Sequence, residues 1–312
     1  MCKFFSFLFS IFFLFFSLHC EKKLIFTFGI GMEIGEMQEK VFEGNHLLSL
    51  LKWPTLPNFN LDINIDLFVS HFHFSFLTNI GIPSFAGHMS DSDYLNRLVP
   101  KKTLFSSHAS HIKQNILLSS HIGFPFKVYP SKISEKKNIS LILEPQIGFS
   151  FLSKKWKANG GYTQYKGDGM FWSPLWEKME YKGDGVEYFQ KLFFPFISFE
   201  MQLKLSKLSA FFRFLLSPFL FGTSKDIHFD RNYIFIDTFF LPSVAFEIMS
   251  MFEKTITKKL HFYTKIAFLF LYNRSGKTII FKEKNIIASY PKGSAGIEGK
   301  DVKISAGFKI IF

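Results

Sequence analysis

The sequence predicts an all-β protein, a transmembrane antiparallel β-barrel of about ten strands with long extracellular loops. Three observations predict it. Apolar and polar residues alternate with period two over most of the chain, which is the strand period and not the helical one. The apolar half of that alternation is mostly Phe, Ile and Leu over about eight to ten residues, long enough to cross a bilayer when tilted. Phe alone accounts for 45 of 312 residues and aromatics for 19%. A secretion-type segment opens the chain, and an alternating strand closed by Phe312 ends it, as in many bacterial outer-membrane barrels. Strands in lipid must pair all their backbone groups, so they must close into a barrel. A soluble sandwich with one wet face is the competing reading of the period alone.

Residues 1–20 are expected to be a signal peptide. Lys3 precedes an apolar run from Phe4 to Leu18, about the length of a secretory core and shorter than the roughly twenty residues of a membrane helix. Leu18-His19-Cys20 weakly suggests a lipoprotein site, but the bulky His19 argues for plain cleavage near Cys20. Residues 21–312 form the barrel. Residues 58–67 read Asn-Phe-Asn-Leu-Asp-Ile-Asn-Ile-Asp-Leu, and 71–76 read His-Phe-His-Phe-Ser-Phe. Segments 198–205, 261–271 and 303–312 repeat the pattern. His71 and His73, alternating with Phe, read as lumen-facing residues and not as zinc ligands. Cys2 and Cys20 are the only cysteines, which excludes a disulfide framework and a cysteine zinc site in the mature chain. The formal charge of +12 draws anionic partners without bearing on fold. Outer-membrane lipid, not nucleic acid, is the expected one.

Polar segments separate the strands: Pro83 to Ser120, Lys154 to Glu187, Gly222 to Asn232, and Lys282 to Lys300. These are expected to be the outer loops, since such barrels have long loops outside and short turns inside. The second contains Tyr165-Lys166-Gly167-Asp168-Gly169, repeated as Tyr181-Lys182-Gly183-Asp184-Gly185. The repeat is expected to mark two equivalent turns of one hairpin, with Gly supplying positive φ. A functional site would sit near the outer rim.

Two acidic pairs stand there at strand spacing. Asp91 and Asp93 lie at i and i+2, so on an extended segment they face one side, roughly 6.6 Å apart. Two neighbouring carboxylates disfavour joint ionisation and can share a proton. Asp226 and His228 repeat the spacing with a carboxylate and an imidazole, and the acid can fix the tautomer of the ring. Facing each other across a water, the pairs could act as a general acid/base machine. Read alone, each pair is as well explained as a solvated loop motif.

The surroundings add a resemblance. Met89-Ser90-Asp91-Ser92-Asp93-Tyr94 resembles the D-x-D-W segment of the omptin family, with Tyr for Trp. Ser106-Ser107-His108 matches that family's S-x-H, and Asp226-Ile227-His228-Phe229-Asp230 resembles its D-E-H-Y-D. Gly35 to Phe42, Ser49 to Trp53, Gln190 to Ile197 and Gly293 to Glu298 match further family segments in the same order. The resemblance implies a bacterial outer-membrane endopeptidase (an Asp/His, aspartic-type hydrolase) with its cleft facing the exterior. It implies that Asp91 and Asp93, with the Asp226–His228 dyad, activate a water. It gives Ser106 and His108 a supporting place in the cleft, and it calls for no metal and no cofactor. A lipopolysaccharide requirement, a property of the family, is not traceable in the residues.

The same resemblance implies cleavage next to basic residues, through two acids in the substrate pocket. Glu39 falls on the first; the second is replaced by Ser224, so a weaker and broader preference is expected. Polypeptide substrates and a monomer are expected. The alternative is a barrel of this fold with reduced or no proteolysis, serving as an adhesin or structural protein.

Overall fold

In the computed structural model, residues 22–99, 101–128, 139–165 and 171–312 are described. The targeting segment 1–20 lies outside them. The chain forms β1 (Lys22–Glu43), β2 (His46–Val69), β3 (Phe72–Gly81), β4 (Ser84–Asp93), β5 (Leu104–Gly123), β6 (Phe126–Val128), β7 (Ile139–Gln164), β8 (Met179–Glu180), β9 (Asp184–Leu205), β10 (Leu208–Ser217), β11 (Phe221–His228), β12 (Tyr233–Phe239), β13 (Ser243–Thr255), β14 (Leu260–Lys282), β15 (Asn285–Ser289) and β16 (Ala295–Ile311). All pairings are antiparallel. Ten strands close a ring in the order β1, β2, β3, β5, β7, β9, β10, β13, β14, β16 and back to β1. The expected ten-stranded barrel is therefore present, and its ring leaves no open edge.

A second ring stands on the first. In it β4 replaces β3 between β2 and β5, while β11 and β12 replace β10 and β13 between β9 and β14. The handovers fall at Pro83, Pro218 and Pro242, where the chain cannot donate a ladder hydrogen bond. Neighbouring groups are bonded instead. Ile82 N donates to Phe59 O at 2.7 Å, Asn58 Nδ2 to Ile82 O at 2.6 Å, and Leu220 N to Ser243 Oγ at 2.6 Å.

This second storey corrects the reading of the polar segments as loops. Pro83 to Ser120 holds β4 and most of β5; Lys154 to Glu187 begins with the end of β7; Gly222 to Asn232 is mostly β11; Lys282 to Lys300 holds β15 and the start of β16. Residues 166–170, in the first Tyr-Lys-Gly-Asp-Gly copy, lie outside the described residues. In the second copy Gly183 takes φ +101° and Asp184 already opens β9.

The outward face shows where lipid ends. On the lower storey it carries Phe28, Ile30, Phe59, Ile147, Ile197, Phe212, Ile266 and Ile304, all exposed. On the upper storey the outward positions turn ionic: Lys155 meets Glu187 at 2.8 Å, Lys40 meets Glu298 at 2.6 Å, and Lys300 meets the same glutamate at 2.6 Å. The outer face of the upper ladder therefore meets water.

The inward face of the lower storey is polar. Asn58, Asn60, Asp62 and Asp66 of the 58–67 alternation are buried there. His73 points inward, with Nδ1 2.7 Å from Glu144 and Nε2 3.1 Å from Asp66. His71, expected beside it, instead sits exposed in the two-residue turn after β2, because Ser70 takes φ 54° and reverses the chain there. At mid-height Lys154 Nζ spans to Glu33 at 2.8 Å and Asp301 at 2.7 Å, with its side chain 1% exposed. Above it lies an apolar layer that includes Met37, Trp53, Met89, Ile112, Trp156, Tyr188, Leu271 and Ile297, each fully buried. Tyr188 stacks on Trp53 at 5.5 Å and on Trp156 at 5.9 Å. Below the lysine is a cavity of about 410 Å³ lined by Asp66, His73, Glu144 and Glu253 among others.

A closed barrel of this kind resists mild detergent until heated. Boiled and unboiled samples are expected to run at different positions on a gel in mild detergent. A single position, or a helical circular dichroism spectrum, would contradict the fold.

Candidate active site

The upper storey brings the sequence-predicted residues into one cup. β4 is set by its register: Asp91 lies opposite Leu51 of β2 and Ser106 of β5, and Asp93 opposite Ser49 and Leu104. The spacing of two then puts both carboxylates on the inner face. Ser49 Oγ donates to Asp91 Oδ1 at 3.3 Å. Burial, and then the Asp93 charge, push the Asp91 carboxyl up to about 7. Burial also raises Asp93, against the charges of Arg231 and His228. The couple therefore holds a proton to higher pH than a solvated carboxylate does.

β11 carries the second pair. His228 Nε2 is 2.6 Å from Asp226 Oδ2, and both side chains are buried. The other ring nitrogen, Nδ1, lies 2.8 Å from an Nη of Arg231. Arginine has donors only, so Nδ1 is the acceptor and Nε2 carries the hydrogen given to Asp226. Burial depresses the His228 imidazolium, but the charge and hydrogen bond of Asp226 more than offset it, and the net shift is upward; Arg231 works against the rise. Asp91 and His228 feel each other's charge, so the two pairs belong to one cleft.

Ser106 and His108, two apart on β5, line the same wall and are buried. They do not pair with each other. Beside Ser106 lies Tyr165, whose hydroxyl burial pushes up to about 12. His108 donates Nδ1–H to the Gly160 carbonyl at 2.5 Å; burial lowers its imidazole below the usual range. No base is positioned on Ser106 among the described residues.

The remaining residues form a deeper pocket. Glu39, on the inner face of β1, is 2% exposed, and its Oε2 has no hydrogen-bond partner. Ser224 sits one inward position below Asp226 and donates to Asp237 Oδ2 at 3.1 Å. Three residues escaped the sequence reading: Asp237, Thr278, whose hydroxyl donates to Asp237 Oδ1 at 2.7 Å, and Arg231. Asp237 left one signal, a lone carboxylate inside the apolar run Tyr233-Ile234-Phe235-Ile236. Among the described residues one group of metal-type donors lies close together, His73, His121 and Glu144, within 4.8 Å of one another. It is in the lower lumen, away from this cup, and both nitrogens of His73 already meet carboxylates.

Fold and site define a membrane barrel with an acidic, histidine-bearing cleft at the mouth opposite its chain ends. The chain belongs to the Omptin family, whose family model matches residues 20–312. Among solved structures it is similar to the outer membrane protease OmpT from Escherichia coli. That likeness covers 93% of this chain and 97% of that one, with a TM-score of 0.82 and 17% identity, and it shows the fold. Similarity to the toluene transporter TodX of Pseudomonas putida covers 95% and 91% of the two chains, at a TM-score of 0.31 and 8% identity. No curated protein sequence matches the chain. At the level of its family, then, the protein is an outer-membrane protease.

Proposed function

We propose that the chain is an endopeptidase of the outer membrane, acting as a monomer with its cleft to the exterior. The observation that carries this reading is the buried Asp226–His228 contact of 2.6 Å, beside the Asp91 carboxyl that burial and the Asp93 charge push up to about 7. Asp226 holds the Nε2–H tautomer, which leaves Nδ1 as the base. A water between His228 and the Asp91–Asp93 couple adds to the scissile carbonyl carbon, and its proton passes to Nδ1. The couple holds that water by hydrogen bonds. The C–N bond then breaks, and the proton moves from His228 to the leaving amine. Water is the nucleophile, and neither a metal nor Ser106 takes part. Glu39 and its neighbours take a basic side chain next to the scissile bond.

The test is refolding in detergent and incubation with a mixed peptide library, with and without lipopolysaccharide, read by mass spectrometry. New termini after Arg or Lys are the expected result. An intact library in both arms overturns the reading.

One observation favours the alternative of reduced proteolysis: Arg231 occupies the lone pair that the base needs. The same contact makes a pH prediction. Arg231 lowers the His228 imidazolium, so Arg231→Ala removes an opposing cation and raises that pKa further. The base is then protonated up to a higher pH. The acidic limb of kcat/KM against pH is expected to move upward in Arg231→Ala, with activity above that limb retained or increased. An unmoved limb means that His228 is not the group titrating. A wild type inert on every peptide, alongside an active Arg231→Ala, identifies the protein as a masked protease.

A further inference from the structure

We propose that Asp237 of β12 is the second carboxylate of the pocket for the substrate's basic side chain, standing in for the acid that β11 lacks at Ser224. The proposal rests on the endopeptidase reading above and names a specificity residue that the sequence motifs do not.

The argument begins with register. Ser224 lies directly opposite Asp237 across the β11–β12 ladder. The row continues to Gln190 on β9 and Thr278 on β14. All four side chains point into the cup and are at most 2% exposed. Antiparallel neighbours in register have Cβ atoms about 4.5–5.5 Å apart. A carboxylate on β12 can therefore reach nearly the same point of the pocket as one on β11. The hydroxyl at Ser224 serves the relocated acid: Ser224 and Thr278 donate to its two oxygens, at 3.1 and 2.7 Å. Those bonds fix the carboxylate plane and favour its charged form.

The second argument is the company Asp237 keeps. Glu39 is its acidic neighbour, and the two carboxyl groups bear on each other's ionisation. Asp226 adds a third carboxyl beside Glu39. Glu39 Oε2 and Asp226 Oδ1 are buried with no hydrogen-bond partner. Burying carboxylates together, with orphaned oxygens, costs free energy that no fold requirement at the end of a ladder explains. A guanidinium or ammonium supplies the missing donors. Its match is geometric for arginine, whose planar fork bonds two carboxylates at once.

The experiment uses full-length refolded protein and pairs of peptides differing only in the residue before the scissile bond, Arg against Gln. The readout is the ratio of kcat/KM within each pair. Asp237→Asn is expected to lower the Arg:Gln ratio at least tenfold, and Glu39→Gln to lower it comparably. The exchange Ser224→Asp with Asp237→Ser returns the acid to β11 and is expected to restore the ratio to within a few-fold of wild type. The gel shift on heating verifies folding of each variant; should Asp237→Asn fail it, the exchange variant against Asp237→Ser alone provides the comparison. An unchanged ratio in Asp237→Asn, with loss in Glu39→Gln, overturns the role of Asp237 and leaves the endopeptidase intact. No cleavage of either peptide by wild type overturns both.

Discussion

His228→Ala is expected to lower kcat/KM by about 10²–10⁴-fold, the usual worth of a positioned general base. The loss should come without unfolding, because the ring lies at the end of β11 and its backbone ladder to β9 and β12 is untouched. Asp226→Asn should fall in the same direction. An amide in place of the carboxylate no longer demands Nε2–H, and the ring can turn its lone pair away from the water. Ser106→Ala should keep substantial activity, since among the described residues no base is positioned on Ser106. Activity is read on one cleaved peptide and folding by the heat-dependent gel shift. A covalent acyl-enzyme trapped at Ser106 or Ser107 would replace this mechanism with a serine one.

The largest stability effect is expected at Lys154. Its ammonium lies between Glu33 and Asp301 at 2.8 and 2.7 Å, all but sealed from solvent. Removing the lysine strands Asp301, while Glu33 keeps Lys303 at 3.2 Å; breaking such a buried pair costs about 3–5 kcal/mol. Lys154→Met keeps most of the volume, so its loss reports the stranded charge and not a cavity. Adding Asp301→Asn removes that charge and should recover much of the loss, because buried ion pairs are often replaceable as a set. Urea unfolding of micelle-bound protein, followed by Trp fluorescence, measures both. Equal midpoints for Lys154→Met and wild type would mean that the triad is solvated.

Wherever the strands stand in lipid, their sequence announces them. Asn58 to Leu67 alternates because one face meets Phe-rich surface and the other a wet lumen, and the structure puts each residue where its polarity sends it. The same rule fails above the bilayer. Ser84 to Asp93 is as much a strand as Phe72 to Gly81, but its inner face mixes Met89 with Asp91 and Asp93, a bulge at Gly87 breaks the period, and it reads as loop. The motif residues Asp91, Asp93, Asp226 and His228 were legible because chemistry at spacing two needs only an extended backbone. Asp237 was not, because its partner Ser224 is thirteen residues away. Which residue of β12 faces which of β11 depends on the turn between them, and no local pattern states it. Arg231 was hidden for a related reason: it lies in that turn, where side-chain direction follows no period.

The layer of Trp53, Trp156, Tyr188 and their neighbours, with Lys154 locked beneath it, changes what kind of object the barrel is. A hollow cylinder through a bilayer is a conductor, and a hydrolytic centre cut into an open cylinder would short-circuit the compartment it serves. Here the bore is stoppered at half height. The upper half is a beaker open on one side, and the cavity below is a separate chamber. The stopper also gives the beaker its base: the acidic pocket of Glu39, Ser224 and Asp237 rests on dry aromatic rings. Electrical insulation of the membrane and a low-dielectric floor under the chemistry thus come from the same few side chains.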